Sequence, residues 1–209
     1  MITQKNIFLS CSYTIPNGLT VFDGEKRFFQ LLETIESCKR IPDSINIISE
    51  GSMLKEDMLN ELQSKAKVFL YPIDELNIHK NKSYGSLLLW LHALDNLEIA
   101  KDSNVFFLSG RYRLTDSFTV NDFQADYVFK NHWFSPQRGG WYGTQLFMVS
   151  GKKIETFRNL LEYSKKYIHS FDIECSLYRS FYDLRIPVTE IPLVNCIGEL
   201  GPTGQVSLH

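Results

Sequence analysis

The first half of the chain alternates between two hydrophobic patterns. Short, continuous apolar runs are typical of strands buried on both faces, and they occur at residues 6–11, 44–49, 67–71 and 105–108. Segments with apolar residues three and four positions apart predict amphipathic helices, and they separate the runs at residues 25–37, 54–64 and 84–99. This alternation predicts parallel strands joined by right-handed crossovers, and therefore an α/β fold.

The second half of the chain does not continue this alternation of strands and helices. Its patterns predict strands at residues 126–129, 145–149 and 188–192, and helices at residues 154–166 and 172–183. A loop rich in aromatic residues and glycine, residues 131–144, lies between the first two of these strands. The glycine-rich residues 198–209 are expected to cover the surface as a strand or flap. The length favours one domain over residues 1–209.

Composition and charge exclude several classes of protein. Hydrophobic residues at 44% and charged residues at 22% are ordinary for a folded protein, and a formal charge of −2 gives no electrostatic footprint for nucleic acid. No apolar run approaches the roughly 20 residues that span a bilayer, so we expect no transmembrane segment. The cysteines are far apart and form no C-x-x-C pair, which predicts free thiols in a reducing cytosol. They are Cys11, Cys38, Cys175 and Cys196.

The apolar run at residues 105–108 ends abruptly in a polar and aromatic segment, Ser109-Gly110-Arg111-Tyr112. In open α/β sheets, ligands bind beyond the carboxyl ends of the strands. Gly110 permits a sharp turn or a close approach to a ligand, and Arg111 and Tyr112 follow it directly. This segment is therefore a candidate site. The alternative interpretation is a solvated loop whose arginines make ordinary surface pairs.

Several motifs resemble the GT-A type of nucleotide-diphosphosugar transferase. The opening of those enzymes is matched by Arg27, Leu31, Thr34-Ile35 and Ser37, followed by Glu50-Gly51-Ser52. A long helix then begins after Lys82 and Gly85. More narrowly, SGRYRLTDSF, a later IE..LY and a terminal G..G resemble small bacterial and viral glycosyltransferase domains of surface-polysaccharide loci.

This resemblance implies a Rossmann-like mixed sheet flanked by helices, with a nucleotide-sugar-binding half at residues 1–118 and an acceptor and catalytic half at residues 119–209. The implied reaction moves a sugar from a nucleotide-diphosphate sugar to a hydroxyl of a surface glycan, with inversion. The alternative is a non-catalytic sugar-nucleotide or glycan-binding module of the same fold. The expected donor-binding residues are Ser10, Ser12, Glu50, Lys82, Tyr84, Gly85, Gly110, Arg111 and Tyr112.

The chain departs from the family where the fourth strand ends. The family places a metal-binding Asp-x-Asp there, whereas this chain has Ser109-Gly110-Arg111-Tyr112. A guanidinium can neutralise the diphosphate directly through bidentate, charge-assisted hydrogen bonds. We therefore expect either no required cofactor, or a divalent cation (Mn or Mg) if Asp116 or Asp74 binds it.

The aromatic loop supplies candidates for acceptor binding. Trp133, Trp141 and Tyr142 can stack on the apolar faces of sugars, because exposed aromatic residues in a glycine-rich loop need partners. His132 is a candidate acceptor contact, with a loop histidine satisfied by its neighbours as the alternative. Arg138, beside two glycines, is a candidate for the acceptor side or for a phosphate.

Asp172 and Glu174 precede or open a predicted helix and are the candidate catalytic residues. The resemblance implies that inverting enzymes of this fold place a carboxylate base at such a helix start. The alternative is capping, since an acidic residue in a first turn interacts favourably with the helix dipole. Asp172 suits the cap, and Glu174 is the expected base.

Overall fold

A seven-stranded mixed sheet forms the centre of the computed structural model, which describes residues 5–12, 23–71, 82–200 and 203–209. The strands are β1 (Asn6–Ser12), β2 (Ser44–Glu50), β3 (Lys67–Leu70), β4 (Asn104–Leu108), β5 (Tyr112–Leu114), β6 (Tyr127–Lys130), β7 (Trp133–Ser135), β8 (Gly139–Trp141), β9 (Leu146–Ser150), β10 (Thr189–Ile191), β11 (Cys196–Glu199) and β12 (Val206–Leu208). The helices are α1 (Gly24–Lys39), α2 (Glu56–Lys65), α3 (Lys82–Asp95), α4 (Ile154–Ile168) and α5 (Ile173–Asp183).

The order of the central sheet is β10-β6-β9-β4-β1-β2-β3. Strands β1 to β4 are parallel, as the alternating pattern predicts. Strand β9 runs antiparallel between β4 and β6, which makes the sheet mixed. Ser12 lies opposite Glu50, and Leu108 lies opposite Leu146. The carboxyl ends of β1, β2 and β4 therefore meet the start of β9 at one edge.

Helices cover both faces of this sheet. On one face α3, α4 and α5 enclose a core in which Phe107, Phe129 and Phe147 stack with centroid separations of 4.6 and 4.7 Å. On the other face, α1 and the small sheet β12-β11-β5 pack around Phe8 and Phe106. Apolar strands buried on both faces thus place the polar strand ends at the edge, where a site can form.

The four cysteines are free thiols, as predicted. Cys38, Cys175 and Cys196 are buried, and Cys11 is half-buried at the end of β1. None of the helices in the described ranges combines the length and the apolar character needed to cross a membrane.

Two elements differ from the sequence-based prediction, and the tail agrees with it. Helix α3 ends at Asp95 and not at residue 99, because the Asn96 side chain donates to the His92 carbonyl at 2.7 Å and the last turn tightens. The aromatic loop contains the hairpin β7–β8. The tail forms the strand β12, which pairs with β11 and leaves Val206 and Leu208 exposed, in agreement with the expected strand at the surface.

Candidate active site at the sheet edge

A cavity of about 220 Å³ lies at the sheet edge where β1 and β4 end. Its wall combines residues from α1, α3, α5, the turn after β4 and the segment before β9, and Trp90 of α3 contributes an apolar part. Its polar and charged residues include Arg27, Ser109, Arg111, Thr144 and Glu174. A polar cavity beyond the carboxyl ends of parallel strands is the expected position for a ligand site in this fold class.

The turn after β4 directs Arg111 to the cavity. The backbone N–H groups of Arg111 and Tyr112 both donate to the Ser109 carbonyl, at 2.7 and 2.9 Å. A Cβ at Gly110 would lie 3.0 Å from Leu31 Cδ1 and 3.6 Å from Ser12 Cβ. Glycine at this position therefore lets the turn lie directly against the end of β1.

Arg111 is half-buried in the cavity wall. Its Nη1 lies 3.5 Å from the Glu199 carbonyl oxygen, a long contact and the only hydrogen bond of the guanidinium within the described ranges. Burial lowers the pKa of Arg111, while the negative charge of Glu174 opposes that shift. Arg111 thus retains most of its N–H donors for a ligand.

Arg27 is a cavity residue that the sequence-based site prediction did not include. It lies on α1 and is 7% exposed, and its guanidinium makes no hydrogen bond or ion pair with any described residue. Burial lowers its pKa to about 10, the positive charge of Arg111 acts in the same direction, and Glu50 opposes both. The available signal was its position four residues before Leu31, on the apolar face of the helix.

Glu174 also reaches the cavity, from the first turn of α5. The Thr144 hydroxyl donates to Glu174 Oε1 at 2.9 Å and orients the carboxylate. Asp172, in contrast, caps α5 by accepting from the Cys175 N–H at 2.9 Å, and it forms an ion pair with Arg138. The two carboxylates are therefore separated, with Glu174 in the wall and Asp172 at the cap.

At the end of β1, side chains alternate between the two faces of the sheet. Ser10 and Ser12 are buried, and the residue between them, Cys11, lines the cavity. Burial, together with the charge of Glu50, raises the pKa of the Cys11 thiol well above its usual range. Glu50 is fully buried and accepts from the Ser52 N–H at 2.8 Å, so it is not an exposed turn carboxylate.

Helix α3 presents its first turn to the cavity through Ser83 and Ser86. Gly85 is buried, and Tyr84 is half-buried with its ring 5.7 Å from the His169 ring. The side chain of Lys82 and the whole of Asp74 lie outside the described residues.

Tyr112 lies in the core and not in the cavity wall. It is 2% exposed, and its ring packs edge-on against His209 at a centroid distance of 5.3 Å. Burial raises the pKa of the Tyr112 hydroxyl. Because β5 begins at Tyr112, successive side chains point to opposite sides, and the residue after Arg111 faces inward.

The acceptor candidates lie in and beside the hairpin β7–β8. Trp133 and Trp141 stack across it at 6.3 Å, and the Arg138 guanidinium lies 4.9 Å from the Trp141 ring centre. Trp133 is 37% exposed and Phe134 is 69% exposed. The hairpin thus offers an exposed aromatic surface on a strand pair that packs against α5.

The other two acceptor candidates have partners within the protein. His132 Nδ1 lies 2.8 Å from Glu190 Oε1. Tyr142 is buried, with its ring 4.6 Å from Phe129 and 5.2 Å from Tyr178. Neither lines the cavity that contains Glu174.

The possible metal ligand Asp116 is remote from the cavity wall. Its side chain is fully exposed and forms an ion pair with Arg40. Among the described residues, no three His, Cys, Asp or Glu side chains are grouped as a metal ion would require. At the strand end itself, Ser109, Gly110 and Arg111 supply no carboxylate, so these residues do not fit a metal.

The sequence matches no protein-family model and no curated protein. The fold matches a crystal structure of the galactosyltransferase LgtC in complex with donor and acceptor sugar analogs. The TM-score is 0.54 at 6% sequence identity, and the match covers 84% of this chain and 70% of that chain. At this identity the likeness shows the fold, and the GT-A-type mixed sheet flanked by helices is confirmed.

Proposed function

We propose that this protein transfers a sugar from a nucleotide-diphosphate sugar to a hydroxyl of a glycan acceptor. The observation that carries the proposal is the pairing, in one cavity at the sheet edge, of the Arg111 guanidinium with the Glu174 carboxylate. Inverting sugar transfer uses two such groups, a cation that stabilises the leaving diphosphate and a carboxylate that takes the proton of the attacking hydroxyl. The GT-A-type fold supports the same assignment.

The chemistry divides between the two groups. The acceptor oxygen forms a bond to the anomeric carbon, and the bond from that carbon to the diphosphate oxygen breaks, with the electron pair leaving on the diphosphate. Arg111 stabilises the negative charge that develops on this leaving group. The Glu174 carboxylate, which the hydrogen bond from Thr144 orients, takes the proton of the attacking hydroxyl. Direct displacement of this kind inverts the anomeric centre.

The two halves of the chain take different substrates in this proposal. Residues 1–118 bind the nucleotide sugar, and residues 119–209 supply Glu174 and the acceptor surface. The exposed aromatic rings of Trp133 and Phe134 support stacking on a glycan of the surface-polysaccharide type. The free thiols support a reducing compartment such as the cytosol.

A two-part experiment tests this proposal. Thermal shift against a panel of nucleoside diphosphates and their sugars should identify a donor, because a ligand that binds only the folded state raises the melting temperature. Release of nucleoside diphosphate from that donor should follow, slowly without acceptor and faster with a glycan. Binding without any release would favour the non-catalytic module, and no binding of any donor would contradict both assignments.

A further inference from the structure

Two arginine side chains share the wall of the cavity. Arg27 reaches it from α1 and Arg111 from the turn after β4. Within the described ranges neither guanidinium has a carboxylate at ion-pair distance, and the Arg27 guanidinium donates to no described acceptor. Buried polar groups in folded proteins are nearly always hydrogen-bonded, so this arrangement needs an explanation.

The ligand-free arrangement is electrostatically unfavourable. Arg27 is buried and Arg111 is half-buried, so both guanidiniums lose hydration, and the two like charges repel each other. The lowered pKa values of both arginines report the burial, and for Arg27 the repulsion as well. The negative charges of Glu50 and Glu174 oppose the lowering of the pKa of Arg27 and of Arg111, respectively, and so reduce the cost. These carboxylates do not accept hydrogen bonds from the guanidiniums, so the N–H donors remain available.

The size and the lining residues of the cavity suit an anion with several oxygen atoms. Each guanidinium presents five N–H donors in a planar fork that matches phosphate oxygens, and the neighbouring Ser83, Ser86 and Ser109 line the same wall. The volume of about 220 Å³ is below the roughly 300–1,000 Å³ of typical ligand pockets. It therefore suits one part of a nucleotide sugar, and the diphosphate is the part whose charge matches two cations.

We propose that Arg27 and Arg111 together bind the diphosphate of the donor, and that their two charges take the place of a divalent cation. This inference rests on the proposed function, since it assigns the ligand of the same cavity. It adds a residue, Arg27, and a consequence, binding of the diphosphate without metal. Arg27 lies on a helix and Arg111 on a tight turn, so both are held in place before the ligand arrives.

Calorimetry in EDTA tests the inference with defined probes: inorganic phosphate, pyrophosphate, UDP and GDP. The wild-type protein should bind pyrophosphate and at least one of the nucleotides, and it should bind phosphate more weakly. Arg27→Met and Arg111→Met should each weaken pyrophosphate binding about tenfold to a hundredfold, the loss of one charge-assisted pair. The matched control is Arg113→Gln, because Arg113 lies in β5 two residues after Arg111, is exposed and pairs with Glu33 at 3.8 Å. It should change the affinity less than about threefold.

A stability measurement separates ligand binding from a structural role of Arg27. Methionine has a similar length and no charge, so Arg27→Met removes a buried, unpartnered cation. The melting temperature of the ligand-free protein should stay the same or rise, while pyrophosphate should stabilise the variant less than the wild type. A large fall in the ligand-free melting temperature, with unchanged affinity, would show that Arg27 is structural. If Arg27→Met does not fold, Arg27→Lys can replace it. Lysine keeps the charge but lacks the planar guanidinium with its paired N–H donors, so it should still weaken pyrophosphate binding.

The outcomes also separate this inference from the proposed function. Nucleotide binding that requires manganese or magnesium, and that Arg27→Met leaves unchanged, would overturn the arginine pair and leave sugar transfer standing. If the wild-type protein binds none of the probes, with or without metal, the proposed function itself is contradicted.

Discussion

The substitution Glu174→Gln tests the proposed mechanism most directly. Glutamine keeps the size of the side chain, and its Oε1 can still accept the hydrogen bond that Thr144 donates at 2.9 Å. What is lost is the ability to take a proton from the acceptor hydroxyl. Positioned general bases contribute about 10²- to 10⁴-fold, which corresponds to about 3–5 kcal/mol of activation free energy. Transfer should therefore fall by at least about a hundredfold.

The effect on stability should be much smaller. Glu174 lies in the first turn of α5, where a negative charge interacts with the helix dipole. Losing that charge costs about 0.3–1 kcal/mol. For a chain of this length, 1 kcal/mol changes the melting temperature by roughly 2–4 °C. The variant should thus melt at most about 4 °C lower and should bind the donor normally.

Another helix of the same protein offers a matched control. Glu155 follows an isoleucine in the first turn of α4, just as Glu174 does in α5, but Glu155 is exposed and remote from the cavity. Glu155→Gln should reproduce the small change in melting temperature without the loss of transfer. Steady-state transfer and differential scanning calorimetry on both variants decide the matter. If Glu174→Gln transferred sugar at nearly the normal rate, Glu174 would not be the base, and a retaining mechanism that uses no such base would be favoured.

Three further predictions concern other parts of the molecule. Burial, and then the charge of Lys130, lower the pKa of His209 to about 4, below the 6.5 of an unfolded histidine. As the pH falls, the unfolded chain therefore takes up a proton at His209 before the folded protein does. Up to about 3 kcal/mol of the free energy of unfolding should be lost between pH 6.5 and pH 4. His209→Phe keeps the ring against Tyr112 and should flatten the melting temperature over this window, whereas a profile identical to wild type would reject the assignment. Gly140→Ala should destabilise the protein by about 1–3 kcal/mol in urea unfolding, because the new Cβ would overlap the Tyr178 ring, and an unchanged midpoint would show that the hairpin moves freely. Asp116→Asn should leave the melting temperature and any response to manganese nearly unchanged, since its exposed pair with Arg40 contributes little; a lost manganese response would identify Asp116 as a ligand after all.

The parallel part of the fold could be predicted because its physical signal is local. Strands buried on both faces appear in the sequence as unbroken apolar runs, and in the helices between them apolar residues recur every three to four positions. The position of β9 could not be predicted in this way. An apolar run such as residues 146–149 indicates a buried strand, but it does not indicate which strands are its neighbours or whether they run parallel or antiparallel to it. Its antiparallel insertion between β4 and β6 depends on the whole sheet.

The site was predictable where it depended on a strand end and less so where it depended on packing. Arg111 follows the apolar run of β4 directly, so its place at the sheet edge follows from the sequence. Tyr112, the next residue, lies in the core, because one step along a strand moves a side chain to the other face. The place of Arg27 in the cavity wall, in contrast, could not be predicted. Its role depends on which side of α1 meets the turn after β4, and only the tertiary structure determines that.

The charged groups of the cavity are held by neighbours that have no chemical role of their own. A Cβ at Gly198 would overlap the Arg111 carbonyl oxygen, so β11 packs directly on the backbone that carries the guanidinium. On the other side, Thr144 orients Glu174, and the Asp172 cap fixes the first turn of α5. Donors and acceptors that are already in position when charge develops need little reorganisation, which is the larger part of electrostatic catalysis. In the proposed mechanism this backbone and helix packing performs the positioning that a bound cation performs elsewhere, and the arginines contribute the charge.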